Sequence, residues 1–229
     1  GVNVSGGQFL VGTGVTIGVA GIATFRSGRI DVGDSLLNTS IGEGAGDAHT
    51  TGAQNIAIGY GALTANTTGE KNTGVGYNAL ALNTTGGDNV AVGRGALDAN
   101  TTANDNTAVG KSALTANTTG ASNVAVGKDA LLANTTASGN SAFGFNAMSA
   151  NTTGDLNVAV GHNALVANTT ASNNTAVGQN ALTANTTGAS NTAVGRAALD
   201  ANTTANSNTA IGYAALGANT TGTENVSVG

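Results

Sequence analysis

The sequence contains no cysteine, no proline and no tryptophan, and only 8% of its residues are charged. Without Cys there is no disulfide framework, no thiolate zinc site and no thiol nucleophile. Aromatic side chains make up 3% of the chain, too few for the core of large side chains on which a compact enzyme draws. No apolar run approaches the roughly 20 residues that cross a bilayer, so membrane insertion is not expected. Basic residues are scarce as well: 7 Lys and Arg against 12 Asp and Glu leave a net charge of -5, which speaks against a nucleic-acid partner. The chain begins at Gly1 with no Met, which reads as a segment of something longer.

Gly is abundant, at 36 of 229 residues, and with Ala, Asn and Thr it fills most positions. Low charge and small residues would suggest disorder, yet 40% of the residues are apolar and they recur on a fixed beat. Asn returns every 17 residues at 55, 72, 89, 106, 123, 140, 157, 174, 191, 208 and 225. The unit reads N-T/V-A-V-G-x-x-A-L-x-A-N-T-T-G/A-x-x, and no insertion breaks its frame. Residues 38–224 hold eleven units, the first of them (NTSIGEGAGDAHTTGAQ) degenerate, and residues 225–229 open a further one. Residues 1–37 lie outside the repeat and alternate β-branched residues with Gly, as a β-rich cap or linker would.

A strict short period predicts a parallel β-solenoid (β-roll), in which each coil stacks on the next and equivalent residues form ladders. Positions two to four, such as Thr73–Val75 and Val90–Val92, read as a strand. The Gly that follows at 59, 76, 93, 110 and onward marks a backbone turn that other residues would adopt at a cost. The Ala-Leu-x-Ala segment after it reads either as a second strand or as one helical turn. Asn-Thr-Thr makes the last corner with side chains that bond nearby backbone. The expected core is one branched residue at the fourth position (Val75, Val92, Val109, Val126, Phe143, Val160) and one Leu at the ninth. Phe143 and Met148 share a coil, suggesting an exchange of volume within one layer. So thin a core predicts self-association, as a parallel homotrimer. The third-position Ala ladder (Ala91, Ala108, Ala125, Ala159, Ala176) would suit a threefold axis, or would simply fit a narrow interior. The fifteenth position alternates Ala103, Gly120, Ala137, Gly154, so coils pair over most of the chain.

The N-T-A-V-G and N-V-A-V-G motifs resemble the strand motif in the head domains of trimeric autotransporter adhesins. The fuller string NTAIGYAALGANTTG at Asn208–Gly222 resembles repeats in tail-fibre and other structural proteins of marine phages, particularly those of cyanobacteria. GIATFRSGRIDVG at Gly21–Gly33 resembles linker segments of such fibres. The coil here is longer than in the adhesin heads, which are left-handed parallel β-rolls assembled as trimers. The resemblance implies an elongated trimeric fibre on a virion or outside a cell, used for attachment to a cell surface, with a surface glycan as partner. A passive extracellular filament is the alternative, and an ice- or surface-binding solenoid using its Thr ladder a further one.

The sequence carries no catalytic constellation, calls for no cofactor and offers no metal cluster: His49 and His162 fall in unrelated coils. The sixth position stands apart. Read down the chain it gives Tyr60, Tyr77, Arg94, Lys111, Lys128, Phe145, His162, Gln179, Arg196 and Tyr213, including every Tyr of the protein. Stacked in a solenoid these form one stripe, a candidate receptor or glycan surface through ring faces and guanidinium forks, or an outward row where long side chains fit. The corners Asn66, Asn83, Asn100, Asn117, Asn134, Asn151, Asn168, Asn185, Asn202 and Asn219 each begin Asn-Thr-Thr, a formal N-glycosylation acceptor. The same residues would also build Asn and Thr ladders between stacked turns.

Overall fold

The computed structural model describes residues 35–229; the 1–34 part of the expected cap or linker lies outside the described residues. The described chain is a parallel β-solenoid. Twelve strands of three residues run from β1 (Thr39–Ile41) through β6 (Val124–Val126) and β7 (Ser141–Phe143) to β12 (Val226–Val228) in one sheet, in sequence order. Each strand pairs with the next in parallel at a register of one repeat, Val90 opposite Thr107 and Val92 opposite Val109. No helix occurs among the described residues.

The invariant Gly ends each strand with φ between 113° at Gly229 and 140° at Gly195, the left-handed side that favours glycine. A Cβ on Gly76 would lie 2.6 Å from the carbonyl oxygen of Gly93 in the next coil, so stacking and φ both select glycine. The Ala-Leu-x-Ala segment is neither a strand nor a helical turn. It is an irregular turn series with positive φ at the seventh and ninth positions, 52° at Asn78 and 54° at Leu80. Extended backbone points neighbouring side chains to opposite sides. Ala79 and Leu80 are nevertheless both wholly buried, and the left-handed step at Leu80 accompanies that double inward turn. Leu rarely adopts such a φ. It is held by a ladder bond, Leu80 N–H to the Ala96 carbonyl at 3.0 Å, repeated at Leu97 to Ala113.

The core differs from the expected one in the parity of the strand. The third-position Ala faces inward: Ala91, Ala108, Ala125, Ala159 and Ala176 are fully buried within a single chain. Positions two and four face out, with Val92, Val109 and Val160 each 37% exposed. The reason is volume. At Gly74, the one third-position glycine, an added Cβ would sit 3.2 Å from the Ala79 carbonyl oxygen and 3.3 Å from Leu63 Cγ, so even a methyl is a tight fit there. Phe143 is 41% exposed while Met148 is buried, which rules out an exchange of volume between them inside one layer. The Ala ladder therefore lines a narrow interior rather than a surface between chains.

The rest of the interior is asparagine. Every buried polar residue among those described is an Asn at the first or the twelfth position. Down the first position, Asn72 N–H donates to Asn55 Oδ1 at 2.9 Å, and Asn72 Nδ2 donates to the Gly86 carbonyl at 2.8 Å. Down the twelfth, Asn83 Nδ2 donates to Asn66 Oδ1 at 2.8 Å. These bonds satisfy the amides away from water, where an unpaired one would cost about 1–3 kcal/mol.

Candidate functional site

The turn that begins at the invariant Gly carries the sixth position to the surface, and all ten residues of the stripe are exposed. All but Tyr213 are fixed by a backbone bond from the following coil: Asn78 N–H donates to the Tyr60 carbonyl at 2.9 Å, and Ser112 N–H to the Arg94 carbonyl at 2.9 Å. The ladder brings the side chains into line, and several stack on one another. Tyr60 and Tyr77 lie with ring centroids 5.3 Å apart and planes 12° from parallel; Phe145 and His162 repeat the arrangement at 5.3 Å and 15°. Cations extend the stacks: the Arg94 guanidinium lies 5.8 Å from the Tyr77 centroid, Lys128 Nζ 4.8 Å from that of Phe145, and the Arg196 guanidinium 5.5 Å from that of Tyr213.

This geometry changes what the stripe can bind. Tyr77 lies between Tyr60 and Arg94, and Phe145 between Lys128 and His162, so those ring faces are taken up by neighbours in the ladder. At Tyr77 and Phe145 this leaves the ring edges, while Tyr60 meets Tyr77, and Tyr213 meets Arg196, on one face. Arg94, Lys111 and Lys128 occupy three consecutive rungs, and Lys128 Nζ pairs with the Asp129 carboxylate at 2.5 Å.

Beside the rungs of Tyr77, Arg94 and Lys111 runs a groove of about 380 Å³, whose far wall includes Asp98, Ser112 and Thr115. A second, of about 340 Å³, lies beside Tyr60 and is lined by Glu43, Asp47 and Thr64. Burial at the groove raises the pKa of Asp98 above its ordinary value of 3.8. Asp98 was not singled out in the sequence, because nothing there tells a tenth-position Asp at a groove wall from one in open solvent. No group of three or more His, Asp or Glu able to hold a metal occurs among the described residues.

The Asn-Thr-Thr corners do not present sugar acceptors. Asn66, Asn83, Asn100, Asn117, Asn134, Asn151, Asn168, Asn185 and Asn202 are fully buried, and the Nδ2 that would carry a glycan donates inward. Asn219, in the last complete coil, is partly buried and makes the same bonds, to Asn202 Oδ1 and the Gly222 carbonyl. A sugar would replace one hydrogen of such an amide, remove a donor from the buried ladder, and find no room within the packed coil. From Thr67 to Thr186 the first Thr of each corner uses its hydroxyl on the next coil, as Thr67 Oγ1 does on the Thr84 carbonyl at 3.0 Å; the second, such as Thr68 or Thr119, is exposed. The described surface thus offers one exposed Thr row along these corners.

No family model, curated protein or solved structure matches this chain.

Proposed function

We propose that this protein is a self-associating structural fibre, homotrimeric as the resemblance implies, that serves attachment to a cell surface as a tail fibre or surface adhesin does. Its place is then a virion or the exterior of a cell, and its role needs no catalysis and no cofactor. The observation that carries the attachment reading is the pair Arg94 and Lys111, which line the groove of Asp98, Ser112 and Thr115, with Lys128 on the next rung of the same stripe. In a chain of net charge -5 these cations are concentrated rather than dispersed. Forked and point cations at a regular step suit the carboxylates or sulfates of an acidic glycan strand, approached from the side because Tyr77 beside them is stacked on both faces.

Binding to an immobilised acidic polysaccharide, with a neutral one as control, tests this reading. The native chain is expected to bind the acidic polymer, more weakly as salt rises. Arg94→Gln with Lys111→Gln is expected to lose at least tenfold in affinity, about 1.4 kcal/mol. Binding to neither polymer, or equal binding by the double variant, would overturn it and leave the passive-filament reading.

A further inference from the structure

Among the described residues, nothing packs on the outward face of the sheet. Twelve strands present two outward residues each, and none of these positions, from Thr39 and Ile41 to Val226 and Val228, carries a charged residue. Every charge between residues 35 and 229 falls at the sixth, seventh, tenth, sixteenth or seventeenth position of a coil, away from this face. The fourth-position row is β-branched apart from Phe143, and it is open to solvent in the single chain: Val92 and Val109 are 37% exposed, Ile211 43%. A solvated β-surface normally interrupts such a row with charges, which block association. Here none does so over the full length of the solenoid.

We infer that this outward face of the sheet is the interface through which a second copy of the chain packs, side by side and in step. Two features select that occupant. The first is period: rungs repeat at about 4.7–4.8 Å, and only a partner with the same step seats its side chains between these rungs at every coil. A second copy has that step by construction, and flat faces of small and β-branched residues interdigitate into dry contacts. The second is area. Eleven steps at that spacing by a strand of roughly 10 Å give a face on the order of 500 Å². Two such faces bury roughly 1,000 Å², the size at which a specific interface begins. The buried Ala ladder on the other side of the strand takes no part. The inference rests on the self-association in the proposed function, taken as contact between pairs of copies, and not on its threefold count or on attachment to a glycan.

The test is the mass of the full chain in solution, by sedimentation or light scattering over a concentration series. Native protein is expected at a multiple of 21.8 kDa. Val109→Lys with Val126→Lys, at the middle of the face, is expected to sediment as a monomer with its β circular dichroism retained. Thr119→Lys with Thr136→Lys, which places the same charges on the exposed Thr row, is expected to remain associated. If the Lys pair fails to fold, Val109→Thr with Val126→Thr preserves shape and strand preference, and it is expected to weaken association at least tenfold. A native chain that is monomeric throughout the series would overturn the inference together with the proposed self-association. An associated native chain whose Lys or Thr face variants associate equally well would overturn the assignment of this face alone.

Discussion

Asn72 and Asn83 donate to one acceptor: the Gly86 carbonyl receives Nδ2 of the first at 2.8 Å and of the second at 2.9 Å. The first and twelfth positions of the coil are thereby tied at the fifteenth, closing the ring of backbone from inside. The next coil repeats the clasp at Ala103, which receives Asn89 and Asn100 at 2.8 and 3.1 Å. Oδ1 of these asparagines faces the neighbouring coil, so one residue type both closes a coil and stacks it. Small Ala and Leu side chains alone would leave such an interior underfilled. The amide ladders supply its remaining cohesion.

Removing one amide should therefore be felt in two coils. Asn123→Ala deletes the bond to the Ala137 carbonyl and leaves the Asn140 N–H without its Asn123 Oδ1 acceptor. Each buried group left unpaired costs about 1–3 kcal/mol. Thr119→Ala, on the exposed row, is expected to stay within about 0.5 kcal/mol. Thermal melts of the two variants check the difference.

Gly127 has φ 135°, and a Cβ there would collide with the Gly144 carbonyl. Gly127→Val is expected to cost about 1–3 kcal/mol in backbone strain alone, with the clash in addition. Lys128→Ala, one residue on, removes only exposed contacts. Equal melting temperatures for the two would contradict the turn.

The parity of the strand can be tested from the inside. Ala125→Val adds volume where only a methyl fits and is expected to cost about 1–3 kcal/mol. Leu131→Ala opens a cavity in the same layer and is expected to cost about 2–5 kcal/mol. Both residues are fully buried. If denaturant unfolding finds Ala125→Val neutral, the inward assignment of the third position fails.

Asp98 gives a pH signature. Its pKa is raised by burial, so the folded chain holds the Asp98 proton more tightly than the unfolded chain does. Its contribution to stability is then complete below the ordinary value of 3.8 and is lost as pH rises through the raised folded value. Asp98→Asn, which cannot ionise, is expected to melt higher than the native chain at neutral pH, and the gain should vanish in acid. A variant that gains equally at both pH values would contradict the desolvation of this carboxylate.

Much of this was legible in the repeat. The period, the strand at positions two to four, the turn at the invariant Gly and the inward Leu all follow from the pattern of residue types. The parity of the strand did not, because Val and Ala alternate with either face equally able to be the inner one. Preference for branched residues in cores favoured Val75 and Val92. The space left beside Leu63 decided for Ala. The left-handed Leu80 had no signal at all, since Leu has no intrinsic preference for positive φ and the conformation is imposed by bonds to the neighbouring coil. The sixth-position stripe was legible as a line of residues. Its internal stacking was not, because that depends on rung spacing and side-chain direction together.

The amide ladders, the sixth-position stripe and the outward sheet face all require that residues 17 apart lie on adjacent rungs. Because the chain has no Cys, paired substitutions report this without background. Thr119→Cys with Thr136→Cys places two thiols on the exposed row in successive coils. A rung step of about 4.7–4.8 Å falls within the Cα separation of about 4.4–6.8 Å that a disulfide spans. Mild oxidation of the dilute, folded chain is expected to close this pair within one molecule. Thr119→Cys with Lys128→Cys, half a coil apart, is expected to stay reduced. Closure of the second pair, or failure of the first, would contradict the 17-residue coil on which the account is built.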